Sequence, residues 1–300
     1  MRRVRGATVR AHAAPARVAA PRRAPRVGRY HLHDDFYDDD GTAVQPEEDV
    51  EDAERHAFPS RGEWAGSPAL ALDVALARWH LDDDIVTVLA STPDETLSGL
   101  ARVATLRNEQ LEARALEIAA RALGPRAAAW VHDRWRAHVQ TSLLALAEAS
   151  AACLPAGEGL DRVLDALDRV PAALARDELH ALAFFPGPEA LRALEGRFAE
   201  PVTESYGRIA ACCGVSWPVI ERWLAAGRPS SLVAIDALEA IAARDTPLLR
   251  RLTPVLAMPP TRERFESTLR EHQQRDPAPR VARDIALVLA EADRILGAAR

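Results

Sequence analysis

The densest set of chemically capable side chains in the sequence is Trp130, His132, Asp133, Arg134, Trp135, Arg136 and His138. On a helix, Trp130 and Arg134 share one face, as do His132 and Arg136, because residues four apart lie one above the other. One chemistry for this set is an aromatic-basic groove, in which Trp130, Asp133, Arg134 and Trp135 stack on and bond a base or a peptide. The plainer reading puts Val131, Trp135 and Val139 into a core and leaves the charged residues to water. His132 and His138 are six residues apart and face apart, so a shared metal is not expected.

Metal chemistry can also be set against the acidic stretch 31–57, which begins HLHDDFYDDDG. With Gly41 at the sixth position of a calcium loop, Asp38, Asp40 and Glu47 fall at the third, fifth and twelfth. Phe36 then stands at the first position, where it cannot ligate. His31 and His33, with Asp34 or Asp35, form an H-x-H group that needs further ligands fixed by a fold. Blocks of like charge favour a solvated acidic linker here, one that can also pair with the basic arm ahead of it. Neither a metal nor a cofactor is expected.

Cys153, Cys212 and Cys213 are odd in number, and two are adjacent. No disulfide framework follows, and the expectation is a reducing, cytoplasmic compartment. Cys212 and Cys213 read as two small buried residues near a helix end. The sequence holds no G-x-x-x-x-G-K, G-x-S-x-G, H-E-x-x-H or Rossmann glycine pattern. His180, in DELHALAFF, reads as a structural or exposed histidine rather than a catalyst. No catalytic set is assembled, so the expectation is a non-catalytic protein.

The net charge of −6 hides a strong polarity. Residues 1–30 carry nine Arg and no acid, whereas 31–57 carry eleven Asp or Glu against Arg55. The rest has 33 acids and 28 Arg, and the chain contains no Lys. A nucleic-acid footprint normally needs an excess of positive charge, which 58–300 lacks. The first 30 residues, rich in Arg, Ala and Val and broken by Pro15, Pro21 and Pro25, are expected to form a disordered arm. They superficially resemble an Arg-rich transit peptide but lack a continuous apolar stretch. No run of about 18 apolar residues is present, so no membrane span is predicted.

From about Phe58 the pattern becomes helical. Ser67-Pro68 opens a helix through about Trp79, with Leu70, Leu72, Val74 and Ala75 apolar. A short second helix follows Asp82–Asp84. Thr92-Pro93-Asp94-Glu95 predicts a capping box and a helix to about Leu106. Asn108 caps the next, over 109–123, which Gly124-Pro125 ends. Residues 126–152 read as one long stretch kinked near 140–142. Beyond Pro155 the helices pair: 158–170 with 174–185, 188–199 with 203–213, 217–226 with 230–244, and 247–257 with 262–274. A last helix is predicted near 278–297. First helices begin at 158, 188, 217 and 247, a spacing of 29–30 residues. Two helices in such a period are the mark of an α-solenoid.

The clearest unit is VSWPVIERWLAAGRPSSLVAIDALEAIAARDTP, 215–247. Ser216 and Pro218 start its first helix, and Val219, Ile220, Trp223 and Leu224 form the apolar face. Gly227 supplies the left-handed residue that ends it. The second helix is apolar nearly all round, as a helix buried on both flanks must be. In the last helix Val281, Ile285, Val288, Ala292 and Ile295 make one stripe, with Arg280, Asp284, Glu291 and Arg294 expected on the other side.

RDPAPRVARDIALVLAEA at 275–292 and GRPSSLVAIDALEAIA at 227–242 resemble the second helix of HEAT-like repeats. LHALAFFPGPEALRALEG at 179–196 resembles the end of one such repeat and the start of the next. The units are most similar to the short bacterial HEAT-like type. The resemblance covers 158–297 well and 68–152 loosely. It implies an all-α fold, an α-solenoid of helical hairpins over 58–300, irregular to 155 and regular from 156, behind the arm 1–57. It further implies a scaffold or adaptor, since some such proteins accompany bacterial secretion systems. Others resemble bilin-lyase-type or alkylpurine-glycosylase proteins, which is the enzymatic or nucleic-acid-binding alternative for Trp130, Asp133, Arg134 and Trp135. In the scaffold reading a protein partner docks on a concave face lined by the second helices. Its contact residues are then Arg176, His180, Arg208, Asp236, Glu239 and Arg270, whose mixed signs suit a protein better than a phosphate backbone.

Overall fold

The computed structural model describes residues 59–297, apart from 79, 138–141, 156, 171–177, 199–201, 203 and 244–255. The basic arm, the acidic stretch with both of its metal readings, Trp79, His138, Val139 and Arg176 lie outside the described residues, as does most of the expected helix 247–257. Every regular element described is helical. The sole extended pairing among these residues is an isolated parallel bridge between Ser216 and Ala257.

The helices are α1 (Arg61–Trp64), α2 (Pro68–Ala77), α3 (Asp83–Ser91), α4 (Pro93–Val103), α5 (Glu109–Ile118), α6 (Ala128–Ala137), α7 (Leu143–Cys153) and α8 (Glu158–Leu167). A 3-10 segment, Leu179–Phe184, precedes α9 (Pro188–Glu195), α10 (Glu204–Cys212), α11 (Trp217–Ala226) and α12 (Ser230–Ala243). The chain closes with α13 (Arg262–Arg275), α14 (Pro279–Ala290) and α15 (Ala292–Ile295). Pro68, Pro93, Pro188, Pro218 and Pro279 each sit in a first turn, where no N–H is needed. The Ser67 and Asn108 side chains accept from the backbone N–H of Leu70 and Leu111, as their positions predict.

Several boundaries differ from the sequence reading, each for a local reason. Thr92 makes no capping box. It also terminates α3, and its hydroxyl turns back to donate to the Val88 carbonyl at 3.2 Å. The capping box forms instead at Ser60 and Glu63. Ser216 does not cap α11 with its side chain. The Trp217 N–H donates to the Ala257 carbonyl at 2.9 Å, so the bridge satisfies that helix start. The 126–152 stretch is two helices, α6 and α7, and the last helix breaks at Glu291. Gly227 does take the positive φ expected of it, 77°.

The C-terminal half is built by neighbour-to-neighbour packing. The 3-10 segment lies between α7 and α10, α10 packs on α12, and α12 on α14. Beside this row, α8 and α9 touch the 3-10 segment, α11 touches α12, and α13 touches both α11 and α14. The expected pairs 188–199 with 203–213 and 217–226 with 230–244 are in contact as α9–α10 and α11–α12. Helix α13 packs on α14, and its expected partner, 247–257, lies mostly outside the described residues. Leu232, Val233, Ile235, Leu238 and Ile241 of α12 are all buried, so this helix is the centre of the core. Each such aliphatic side chain is worth about 1.5–3 kcal/mol relative to exposure. The predicted stripe Val281, Ile285, Val288, Ala292 and Ile295 is wholly buried.

Ion pairs join the helices of the second row in succession. Asp168, after α8, pairs with Arg197, after α9. Glu195 of α9 pairs with Arg222 of α11 at 2.7 Å, and Glu221 of α11 with Arg264 of α13 at 2.8 Å. In these three the earlier unit supplies the acid and the later one the arginine. The next rung, Arg262 of α13 to Asp293 of α15 at 2.6 Å, reverses the order.

Candidate functional site

Of the six residues expected to face a partner, Arg208, Asp236 and Glu239 lie on α10 and α12, which pack together, with α14 on the other flank of α12. The site starts from a glycine. A Cβ on Gly207 of α10 would lie 2.4 Å from the Asp236 carbonyl carbon and 2.6 Å from the Ala237 nitrogen of α12. Only a residue without a side chain lets two helix backbones approach so closely. That approach sets Arg208, next to Gly207, beside the turn of α12 that carries Asp236 and Glu239. Arg208 and Glu239 are half-buried, and Asp236 is buried.

From the other flank, Arg280 of α14 reaches α12. Its Nη2 meets Asp236 Oδ1 at 3.3 Å, while its Nε donates to Asp284 Oδ2 at 3.2 Å. Arg283 closes on Asp284 Oδ1 at 2.8 Å. Asp284 is therefore buried between two guanidinium groups, and not on a solvated side as its place opposite the apolar stripe suggested. Two buried carboxylates share one arginine because a buried charge is tolerated only when paired and hydrogen-bonded. Arg280 and Arg283 thus hold Asp236 and Asp284, and with Arg208 on α10 and Glu239 on α12 the seam carries charges of both signs. At its far end Arg294 donates to the Ala242 carbonyl at 3.0 Å, placing a cation on the C-terminus of α12.

Two other expected contact residues do not join this seam. His180 is buried in the 3-10 segment, which is enclosed by α7 and α10, so it is a core histidine and not a surface contact. Arg270 is exposed on α13, in the second row, and pairs with Glu266 at 3.2 Å.

No family model, curated protein or solved structure matches this chain.

The aromatic-basic set does not form an open groove. Trp130 and Trp135 are both buried. Trp135 Nε1 donates to Ser150 Oγ at 2.8 Å, fastening α6 to α7. Arg134 already lies over the Trp130 ring, 5.7 Å from its centre, and approaches Glu112 at 3.6 Å. Asp133 is exposed and pairs with Arg136 at 2.8 Å. His132 instead meets Arg162 of α8 at 2.9 Å, and Arg162 also bonds Glu158 at 3.0 Å. Beside them Trp135, Arg162, Asp165, Ala166 and Arg169 line a shallow recess. Sequence reasoning missed this grouping, because the α8 residues read alone as a solvated face. Only the packing of α6 and α8 about α7 brings them beside His132.

All three thiols are buried and unpaired. Burial pushes Cys153 and Cys212 up to about 12 and raises Cys213 as well, so none is a ready nucleophile. Among the described residues no group of three His, Cys, Asp or Glu could hold a metal, and no helix is long and apolar enough to cross a membrane.

Proposed function

We propose that the chain is a non-catalytic HEAT-like helical-repeat scaffold, working in the cytoplasm, that binds a protein partner along the α10–α12–α14 seam. The observation that carries this reading is the mixed-charge seam itself. Arg208, Glu239 and Arg283, all at least part-exposed, sit on a support fixed by backbone contact at Gly207 and by the Asp236–Arg280–Asp284 bridge. Alternating charges on a rigid base suit the mixed signs of a protein surface and oppose a polyanion. The helix pairs and the ion pairs that step from one pair to the next support the repeat reading. The sequential packing of one row against another is what a stack of hairpins requires.

The test is affinity capture from the source cell with the full chain and with Arg208→Glu and Arg283→Glu variants. A partner held by the wild type and lost from both variants supports the proposal. The same proteins retained by all three forms would refute it. A DNA shift assay tests the competing class. Tight binding that falls steeply with salt and survives deletion of 1–30 would replace the scaffold reading.

A further inference from the structure

We propose that α13 is an acid-released clasp: one proton taken up by His272 frees this helix from α11 while α12 stays packed. This release is a regulatory device of the fold and does not depend on whether the seam has an outside partner. What it uncovers is the Trp217 ring of α11, on which Phe265 of α13 packs with ring centres 5.4 Å apart.

Little holds α13 in place. Of its 14 residues only Phe265, Leu269 and His272 are buried. They fall at i, i+4 and i+7, so they form a single narrow stripe. The polar links, Arg264 to Glu221, Arg228 to Asp276 and Arg262 to Asp293, all use exposed arginines, and such pairs contribute little in water. By contrast α12 is buried along almost its whole length. A helix attached by so thin a stripe can open by itself, without the core.

The last residue of that stripe is titratable. His272 is only 3% exposed, and its ring bonds the Leu224 backbone of α11. Its Nε2 is buried and has no hydrogen-bond partner among the described residues. A neutral ring tolerates this, but a proton on Nε2 makes it a charged donor with nothing to accept it. The surroundings add cations. Arg275 follows on α13, and Arg228 acts from the turn after α11. The acid acting on the ring, Asp276, already bonds Arg228 at 2.9 Å. The other helix packed on α13, α14, turns Arg280 and Arg283 to its own Asp284. A proton on His272 is therefore a third positive charge against one carboxylate, and it reaches water only if α13 lifts. Burial first, and Arg275 next, hold the ring below the usual 6.5.

The test is hydrogen exchange of the full chain, read by mass spectrometry at pH 7 and pH 5 and corrected for the intrinsic pH dependence of exchange. Protection across 262–275 should fall on acidification by up to about 25-fold, the limit for one proton bound in the open form by a group of ordinary value 6.5. At both pH values it should lie below the protection of 230–243, because a helix that opens alone exchanges without unfolding the core. Asp276, kept below 3.8 chiefly by Arg228, remains charged over this range, so the response belongs to the histidine. His272→Gln, which is neutral at both pH values, should remove the fall. The wild-type comparison needs no variant, so it decides the matter even where the Gln form folds poorly. Unchanged protection of 262–275, exchange of 262–275 and 230–243 together at pH 5, or the same fall in a folded Gln variant would overturn the proposal.

Discussion

Replacing Gly207 with alanine tests the contact on which the seam is built. The new methyl would start 2.4–2.6 Å from three atoms of the α12 backbone and Asp236 side chain. Carbon atoms rest at about 3.5–4.0 Å, so the helices must part by about 1 Å or more. The obstacle is backbone, which cannot swing aside as a side chain would. Overpacking of this kind costs about 1–3 kcal/mol, and a backbone clash belongs near the top of that range. Alanine returns about 1 kcal/mol through its better helix propensity. The net loss is about 2 kcal/mol, or about 4–8 °C in Tm for a chain of this size. Gly196 is the control. It has ordinary helical φ, −65°, and a Cβ there would come no closer than 3.6 Å to another atom. Gly196→Ala should therefore be neutral or slightly stabilising. Thermal unfolding by circular dichroism reads both. A Gly207→Ala protein that melts with the wild type, or with the Gly196→Ala protein, would show that α10 and α12 are not in backbone contact.

Three further outcomes are expected. Ser150→Ala removes the acceptor of the buried Trp135 N–H and should cost about 1–3 kcal/mol in urea unfolding; an unchanged midpoint would remove this fastening of α6 to α7. His272 is held below the usual 6.5, first by burial and then by Arg275, although it bonds the Leu224 backbone. The fold thus keeps the ring neutral where the unfolded chain is already protonated, so this stability is complete above pH 6.5 and declines as pH falls toward the folded value. His272→Gln should flatten that decline between pH 7 and 5, and equal slopes would count against it. A thiol reagent at pH 8 should leave Cys153, Cys212 and Cys213 unmodified in the folded chain and label all three in denaturant. Rapid labelling without denaturant would show them accessible.

What the sequence disclosed was periodicity. The stripe Val281, Ile285, Val288, Ala292 and Ile295 could be assigned because its contrast with the neighbouring positions follows the helical repeat. The limits of 217–226 and 230–243 were marked by Pro218, Gly227 and Pro229. Polar residues were harder, because their burial depends on partners from other helices. Asp236 and Asp284 resemble surface acids until Arg280 arrives from α14. His180 resembles a contact residue until α7 and α10 close on it. Trp130 and Trp135 read as open rings in one dimension, whereas in three Arg134 lies over Trp130 and the Trp135 N–H is taken by Ser150 of α7. Gly207 gave no sign at all, since a glycine inside a helix is silent about what lies against it.

The two rows should yield differently under load. Between α10 and α12 backbone meets backbone at Gly207, where no rotamer can give. Between α9, α11 and α13 run part-exposed ion pairs, Glu195 with Arg222 and the two-bond pair of Glu221 with Arg264, which salt weakens. Raising the ionic strength should therefore loosen α9, α11 and α13 from one another while leaving the α10–α12 contact at Gly207 as it is.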